Sequence, residues 1–171
     1  MNRRDFLKWA GAGSAAAAVG SVVFRTTQWW NQPPGAHWRV LSAEEAAIVA
    51  AIVDALFPGD IGRPPLPNGV EAGVVEAFDD YLAGTDAVAA DGLRLLVHAI
   101  DEMAMLRDFG LTRFRDRSRS ERIAILEAWD ESSLTVRRAS FRGLKYALST
   151  QYCTQPSVQS AVGIVHKCGG S

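Results

Sequence analysis

Metal-binding and redox-active side chains are scarce in this sequence, whose 171 residues include three histidines and two cysteines. The cysteines fit neither a CxxC redox motif nor the paired spacing of a zinc site. The sequence also lacks the G-x-G-x-x-G, GxxxxGK[ST], G-x-S-x-G and CxxCH motifs. These absences argue against a dinucleotide, nucleotide, hydrolase or c-type haem site. We therefore predict no catalytic, cofactor-binding or metal-binding residue in this chain.

The remaining polar groups are too few or badly spaced for a site. His98 and Glu102 are four residues apart, but one imidazole and one carboxylate are too few to hold a metal ion, so a surface pair is predicted. Asp79 and Asp80 are adjacent, as are Asp101 and Glu102. Adjacent residues on a helix point in different directions, which predicts a solvated face rather than a shared substrate site.

Charge is balanced overall, at a formal −1, but it is unevenly distributed. Residues 42–102 carry twelve acidic and two basic side chains, and residues 103–171 carry eleven basic and six acidic ones. Two interpretations stay open: oppositely charged faces that attract weakly within the molecule, and a polarised docking surface. Neither interpretation gives a reason to expect a nucleic acid partner.

The N-terminus carries a paired arginine followed by Phe-Leu-Lys; the residues of this motif are Arg3, Arg4, Phe6, Leu7 and Lys8. An uncharged, mostly apolar run of 16 residues follows, from 9 to 24. A basic start before a short apolar run is the layout of a signal peptide. The arginine pair predicts the twin-arginine type, which directs folded proteins to the twin-arginine translocase. We expect a periplasmic location, or one on the periplasmic side of the inner membrane.

The end of this signal is ambiguous. The apolar run is shorter than the about 20 residues of a typical membrane-spanning helix, yet no A-x-A cleavage site follows it. Trp29 and Trp30 suit a membrane interface. Removal of the signal and its retention as an anchor both stay open. We assign residues 1–30 to the signal segment, 31–40 to a linker and 41–171 to a helical domain.

The domain is predicted to be all-α, a small bundle of four to five helices. Ser42 with Glu45, and Ser118 with Glu121, form capping-box patterns that mark helix starts. The predicted helices run from 42 to about 57, from 70 to 84, from 87 to 107, from 118 through Trp129, and from 134 to 152. A tail is expected after the last of these.

One segment mixes arginine and aromatic residues: Phe109, Arg113, Phe114, Arg115 and Arg117. Exposed arginine and aromatic side chains are typical of interface cores, which makes these residues candidates for binding a partner. The alternative is that the two phenylalanines close the end of the helical bundle.

Cys153 and Cys168 allow two interpretations in an exported protein. They could be bonded, closing a loop of about 15 residues and contributing roughly 3 kcal/mol. They could equally remain free thiols, since sequence does not show whether their Cα atoms approach each other.

Three motifs in this order carry a family resemblance. They are Leu41–Glu45 opening a helix, Ala55–Asp60 closing it and Glu71–Val75 opening the next helix, all behind the twin-arginine signal. The sequence resembles the gluconate 2-dehydrogenase subunit 3 family. The resemblance implies a small helical subunit of a membrane-bound dehydrogenase. In such complexes a large subunit of the glucose–methanol–choline (GMC) type binds FAD, and a cytochrome c subunit with haem c often accepts the electrons.

The resemblance also implies a function, that of a non-catalytic small subunit. Such a subunit binds a FAD-dependent alcohol or sugar dehydrogenase, escorts it through the twin-arginine route and stays in the complex. The chain itself would hold no cofactor. The alternatives are a free-standing helical protein of the cell envelope and an independent cofactor-binding enzyme of the same compartment.

Overall fold

The computed structural model describes residues 32–60, 62, 64–107 and 112–164. The helices belong to one unit of the chain, residues 34–171. The predicted export motif, from Arg3 to Lys8, lies outside the described residues. Within them, no helix combines the length and the apolar character that crossing a membrane would require.

The described residues form six α-helices and one short 3-10 helix, and they contain no strand, which confirms the all-α prediction. The α-helices are α1 (Ala43–Leu56), α2 (Val74–Ala83), α3 (Ala87–Arg107), α4 (Arg119–Asp130), α5 (Thr135–Thr154) and α6 (Pro156–Ala161), and the 3-10 helix is Phe114–Asp116. The sixth helix replaces part of the predicted tail. Its first residue is a proline, whose fixed φ angle and missing N–H suit that position.

Both predicted capping boxes are confirmed. The Ser42 hydroxyl accepts the Glu45 backbone N–H at 3.2 Å, while the Glu45 carboxylate accepts the Ser42 N–H at 2.8 Å. Ser118 and Glu121 repeat this exchange at the start of α4. These bonds satisfy backbone N–H groups that a helix start leaves without partners. The sequence pattern therefore located both helix starts correctly.

The second helix begins later than predicted, at Val74 instead of residue 70. Gly73 precedes it with φ +85°, a left-handed conformation that glycine adopts without steric cost. The Val74 N–H is bonded to the Gly69 carbonyl, so the residues between them form turns rather than helix. The apolar Val70 matched the helical period, but it is 40% exposed.

Helix α1 lies at the centre of the packing. It contacts α2, α3, α4 and the 3-10 helix, while α5 packs against α2, α3 and α4. Ile48, Val49 and Ile52 of α1 are completely buried, as are Phe78 of α2 and Phe141 of α5. The burial of side chains on several sides of α1 makes it the common surface on which the other elements assemble.

The loop after α1 is fixed by a contact with α5. The Tyr152 ring stacks on Phe57 with centroids 4.4 Å apart, and its hydroxyl donates to the Pro67 carbonyl at 2.8 Å. Gly69 approaches α1 so closely that an added Cβ would lie 2.6 Å from a Val53 methyl carbon. This loop follows the Ala55–Asp60 motif of the family resemblance. The contacts explain structurally why an aromatic residue stands at 57 and a glycine at 69.

Replacing Leu134 by Asp is predicted to stabilise the domain. Leu134 is the N-cap of α5, has extended backbone angles and supplies no capping hydrogen bond. Its side chain is 65% exposed, so little packing would be lost. An aspartate there would accept a first-turn N–H, and we expect the free energy of unfolding to rise by about 1 kcal/mol relative to Leu134→Ala. Urea denaturation of both variants measures this difference. Equal stabilities would contradict the prediction.

Candidate functional site

A buried carboxylate lies where α1 meets α3. Glu45 is 1% exposed, and its Oε1 accepts Arg94 Nε at 2.9 Å and His98 Nε2 at 3.2 Å. Its Oε2 accepts the Ser42 N–H and also Arg94 NH2 at 3.3 Å. Because an ionised carboxylate only accepts, Nε2 of His98 carries the proton. The cluster is an internal ion pair that fixes the start of α1 against α3.

Burial raises the pKa of Glu45, but the hydrogen bonds from His98, Arg94 and Ser42 together outweigh this effect. The pKa falls from the ordinary 4.5 to about 2. The carboxylate is thus ionised across the physiological range, and its charge is matched within the fold. This arrangement suits a structural role, because a proton donor or acceptor in catalysis needs a pKa near the working pH.

The prediction that His98 and Glu102 form a surface pair is wrong for His98, which is buried. The imidazole is 3% exposed, since residue 98 lies on the face of α3 that packs against α1 and binds Glu45 there. The sequence placed His98 on α3 correctly but could not show which distant residue faces it. A signal for this burial was present in the flanking apolar residues Val97 and Ile100, both fully buried.

The predicted solvated face is also wrong for two of its carboxylates, since Asp79 is 3% and Asp101 1% exposed. Asp79 accepts the backbone N–H groups of residues 39–41 at 2.6, 3.0 and 2.8 Å, and it thereby anchors the segment before α1 to α2. Asp80 is exposed as predicted. Buried carboxylates need such hydrogen bonds, which a single sequence does not reveal.

The arginines of the predicted partner interface bind groups of their own chain. Arg113 NH1 and Arg115 NH2 each donate to the Glu44 carboxylate at 2.7 Å. Arg117 NH2 donates to the Ala104 carbonyl at 3.0 Å, and its side chain is 7% exposed. These contacts hold the segment of the 3-10 helix against α1 and α3. A docking role for these arginines stays a prediction, and it would require them to act beyond these internal bonds.

Phe114 is completely buried, which favours the second of the two alternatives for this residue. The reason is the anchoring of the next residue: the Arg115 N–H donates to Asp101 at 3.1 Å, which turns residue 114 inward. Burial raises the pKa of Asp101, and the backbone bond and nearby guanidinium groups offset this only in part. Phe109 lies outside the described residues.

A second carboxylate joins α1 to α4. Asp54 accepts hydrogen bonds from Arg119, from Arg122 NH2 at 2.9 Å and from the Asn68 amide at 3.1 Å. The Arg119 bond is the main cause of the lowered pKa of Asp54, which burial opposes. Arg122 also donates to the Ala51 carbonyl at 3.0 Å. This cluster aligns the C-terminal half of α1 with α4.

Some of these contacts join the acidic stretch of the sequence to the basic stretch. Glu44, Asp54 and Asp101 belong to the acidic stretch 42–102, and their arginine partners belong to the basic stretch 103–171. The first interpretation, attraction within the molecule, therefore applies to these residues. The pairs differ from the expected solvated faces because their carboxylates are half-buried or buried, which reduces screening by salt.

The cysteine prediction remains untested. Cys153 lies near the end of α5 and is exposed, and Cys168 lies outside the described residues. Across the ranges that the structure describes, no three or more His, Cys, Asp or Glu side chains come together as a metal site.

An apolar groove was not predicted. We name it the α3–α5 groove; its volume is about 430 Å³ and its lining residues are Leu96, Met103, Trp129, Leu134, Thr135, Val136, Arg137 and Ser140. Met103, Leu134 and Val136 are 40%, 65% and 79% exposed. Arg137 lies over the Trp129 ring, 4.4 Å from its centroid. The sequence signal was the apolar pair Leu134 and Val136 at the start of α5, both of which are exposed.

Comparison with known families identifies the domain. Residues 43–165 match the family described as gluconate 2-dehydrogenase subunit 3. The chain belongs to this family. Residues 1–20 match the twin-arginine translocation pathway signal sequence, which implies export across the cytoplasmic membrane. No curated protein and no solved structure matches the chain.

The matched residues 43–165 contain the side chains of the Glu45 and Asp54 clusters, the buried Phe114 and the α3–α5 groove. The backbone N–H groups of residues 39–42, which bind Asp79 and Glu45, precede the matched range. The clusters join elements of the domain to each other, whereas the groove presents apolar side chains to the outside. The groove is therefore a candidate binding surface of this subunit 3 domain.

Replacing Glu45 by Gln is predicted to remove a pH-dependent part of the stability. Glutamine can keep the capping box, but it loses the charge that Arg94 pairs with. A pKa lowered to about 2 contributes stability that is complete above the unfolded value of 4.5 and disappears as the pH falls through 2. At neutral pH we expect the free energy of unfolding of the variant to be roughly 3 kcal/mol lower than that of the parent.

Urea denaturation of both proteins between neutral pH and pH 2 measures this effect. The difference should shrink steadily below pH 4.5, where the unfolded glutamate becomes protonated. Glu71→Gln, a change of the same kind at an exposed glutamate, is the control and should differ little from the parent. A difference for Glu45→Gln that stays constant with pH would contradict the assignment of this pKa.

Proposed function

We propose that this chain is the non-catalytic small subunit of a FAD-dependent alcohol or sugar dehydrogenase of the GMC type. It binds the folded flavoprotein subunit in the cytoplasm, escorts it through the twin-arginine translocase and remains bound to it. One observation carries the proposal: a twin-arginine signal and a gluconate 2-dehydrogenase subunit 3 domain occupy the same chain.

The export route explains why one signal can serve two subunits. The twin-arginine route moves proteins that have already folded, so a partner bound before export crosses together with the signal-bearing subunit. The complex must then persist through translocation, which favours a preformed and rigid binding partner. The internal ion pairs of Glu45 and Asp54, which fix α1 against α3 and α4, support this requirement.

The family resemblance suggests which subunit would hold each cofactor. In the proposed complex FAD belongs to the large subunit, and haem c belongs to a cytochrome c subunit where one is present. The contribution of this chain is binding and delivery. We place the assembled complex in the periplasm or on the periplasmic side of the inner membrane, as the export signal implies.

Replacing Arg3 and Arg4 by Lys together is predicted to keep the flavoprotein subunit in the cytoplasm. The lysines preserve charge but not the guanidinium groups of the signal motif. The test is co-expression with the large subunit, followed by cell fractionation and measurement of FAD-bound large subunit in each fraction. Arg25→Lys, a change of the same kind outside the motif, is the control and should leave export unchanged.

Export of the flavoprotein at the normal level with the double variant would show that it does not depend on this signal. The same conclusion would follow if deletion of this chain left the periplasmic flavoprotein unchanged. Either result would rule out the escort role. Purification of the chain alone, without the flavoprotein, would identify it as a free-standing envelope protein.

A further inference from the structure

We propose that the α3–α5 groove is the docking site for the flavoprotein subunit, and that it receives an apolar segment of that subunit bearing a carboxylate. This inference rests on the proposed function, because it names the surface through which the two subunits would bind. The groove has the shape, the exposure and the charge for such an occupant.

The exposure of the groove is the first argument. Val136 is 79% and Leu134 65% exposed, and both line one concave surface with Met103 at its other side. Single exposed apolar residues are normal, but apolar residues gathered in a groove mark binding surfaces. Trp129 and Arg137 also line the groove. Trp129 is only 3% exposed, so the partly exposed Arg137 is the one of the two that a partner could contact. Arginine is enriched among residues that dominate binding energy.

The charge of the groove indicates the chemistry of the occupant. Arg113 and Arg115 are paired with carboxylates of the chain, whereas no carboxylate among the described residues pairs with Arg137. Its guanidinium is instead stacked on Trp129. The lining contains no acidic residue, and neither does the first turn of α5. A carboxylate of the partner would therefore meet a positioned and unopposed positive charge.

The shape of the groove favours a protein over a lipid surface. A membrane-binding helix presents a continuous apolar face along its length, but here the apolar residues come from α3, the end of α4 and the start of α5 and line an open groove between them. A volume of about 430 Å³ accommodates a few protruding side chains. A stable interface covers about 800 Å² on each partner, so the groove would be its centre rather than its full extent.

Two matched substitutions test the docking surface. Val136 and Val88 are 79% and 81% exposed, and each is the second residue of its helix, so Val136→Glu and Val88→Glu have the same local consequences. The full-length chain, with an affinity tag at its C-terminus, is co-expressed with the large subunit and purified. Flavin absorbance per molecule of chain then measures binding. Val136→Glu should lower it at least about tenfold, and Val88→Glu should leave it unchanged.

Leu134→Asp separates loss of docking from loss of folding. It removes an exposed apolar side chain of the groove and adds an N-cap to α5, so the melting temperature should rise while the bound flavin falls. A damaged fold would lower both quantities. The opposite signs of the two changes are specific to a binding role.

Three results would overturn the inference. Full flavin content in both Val136→Glu and Leu134→Asp would place the docking surface elsewhere, while wild-type capture of the flavoprotein would leave the proposed function intact. If the variants no longer sediment with membranes while their flavin content is unchanged, the groove binds lipid. If they lose self-association measured by light scattering while their flavin content is unchanged, the groove binds a second copy of the chain. Failure of the wild-type chain to capture any flavoprotein would instead refute the proposed function itself.

Discussion

The pairing of Glu45 with Arg94 and His98 is the contact on which the arrangement of the domain depends. A carboxylate that is 1% exposed would be costly without partners, and here two side chains of α3 and the backbone N–H of Ser42 compensate it. The same side chain closes the capping box of α1. Because α1 contacts four other elements, fixing its start and its rotation against α3 sets the frame for the rest of the bundle.

The remaining charges of α1 extend this frame. Glu44, beside Glu45, binds the arginines on either side of Phe114, and Asp54 near the other end binds the start of α4. One side of α1 thus buries Ile48 and Ile52, while its acidic residues hold the elements that cover it. Apolar burial supplies most of the stabilisation and tolerates several helix orientations, whereas bidentate and shared arginine contacts select one of them.

Local features of the fold were predictable from the sequence, and long-range ones were not. The capping boxes at Ser42 and Ser118 depend on residues three positions apart, so the pattern alone located both helix starts. His98 and Glu45 are 53 residues apart, and no local pattern connects them. The uneven charge indicated that oppositely charged residues could attract each other within the molecule, but which residues pair depends on how the helices cross.

The late start of α2 was missed because Gly73 overrides the apolar period. The groove was missed because Val136 fits a helical pattern equally well whether its face is covered or exposed.

Arginines that are paired with carboxylates of the chain differ in role from an arginine that has no such partner. Within the described residues, the arginines nearest α1 are paired with its carboxylates, and such pairs have little attraction left for another protein. Arg137 differs, because an aromatic ring and not a carboxylate holds it, beside apolar side chains that no helix covers. A subunit that must fold before export needs its internal charges matched in the cytoplasm and only its docking surface left unmatched. For this reason the groove is a better candidate for contact with a partner than the arginine-rich segment.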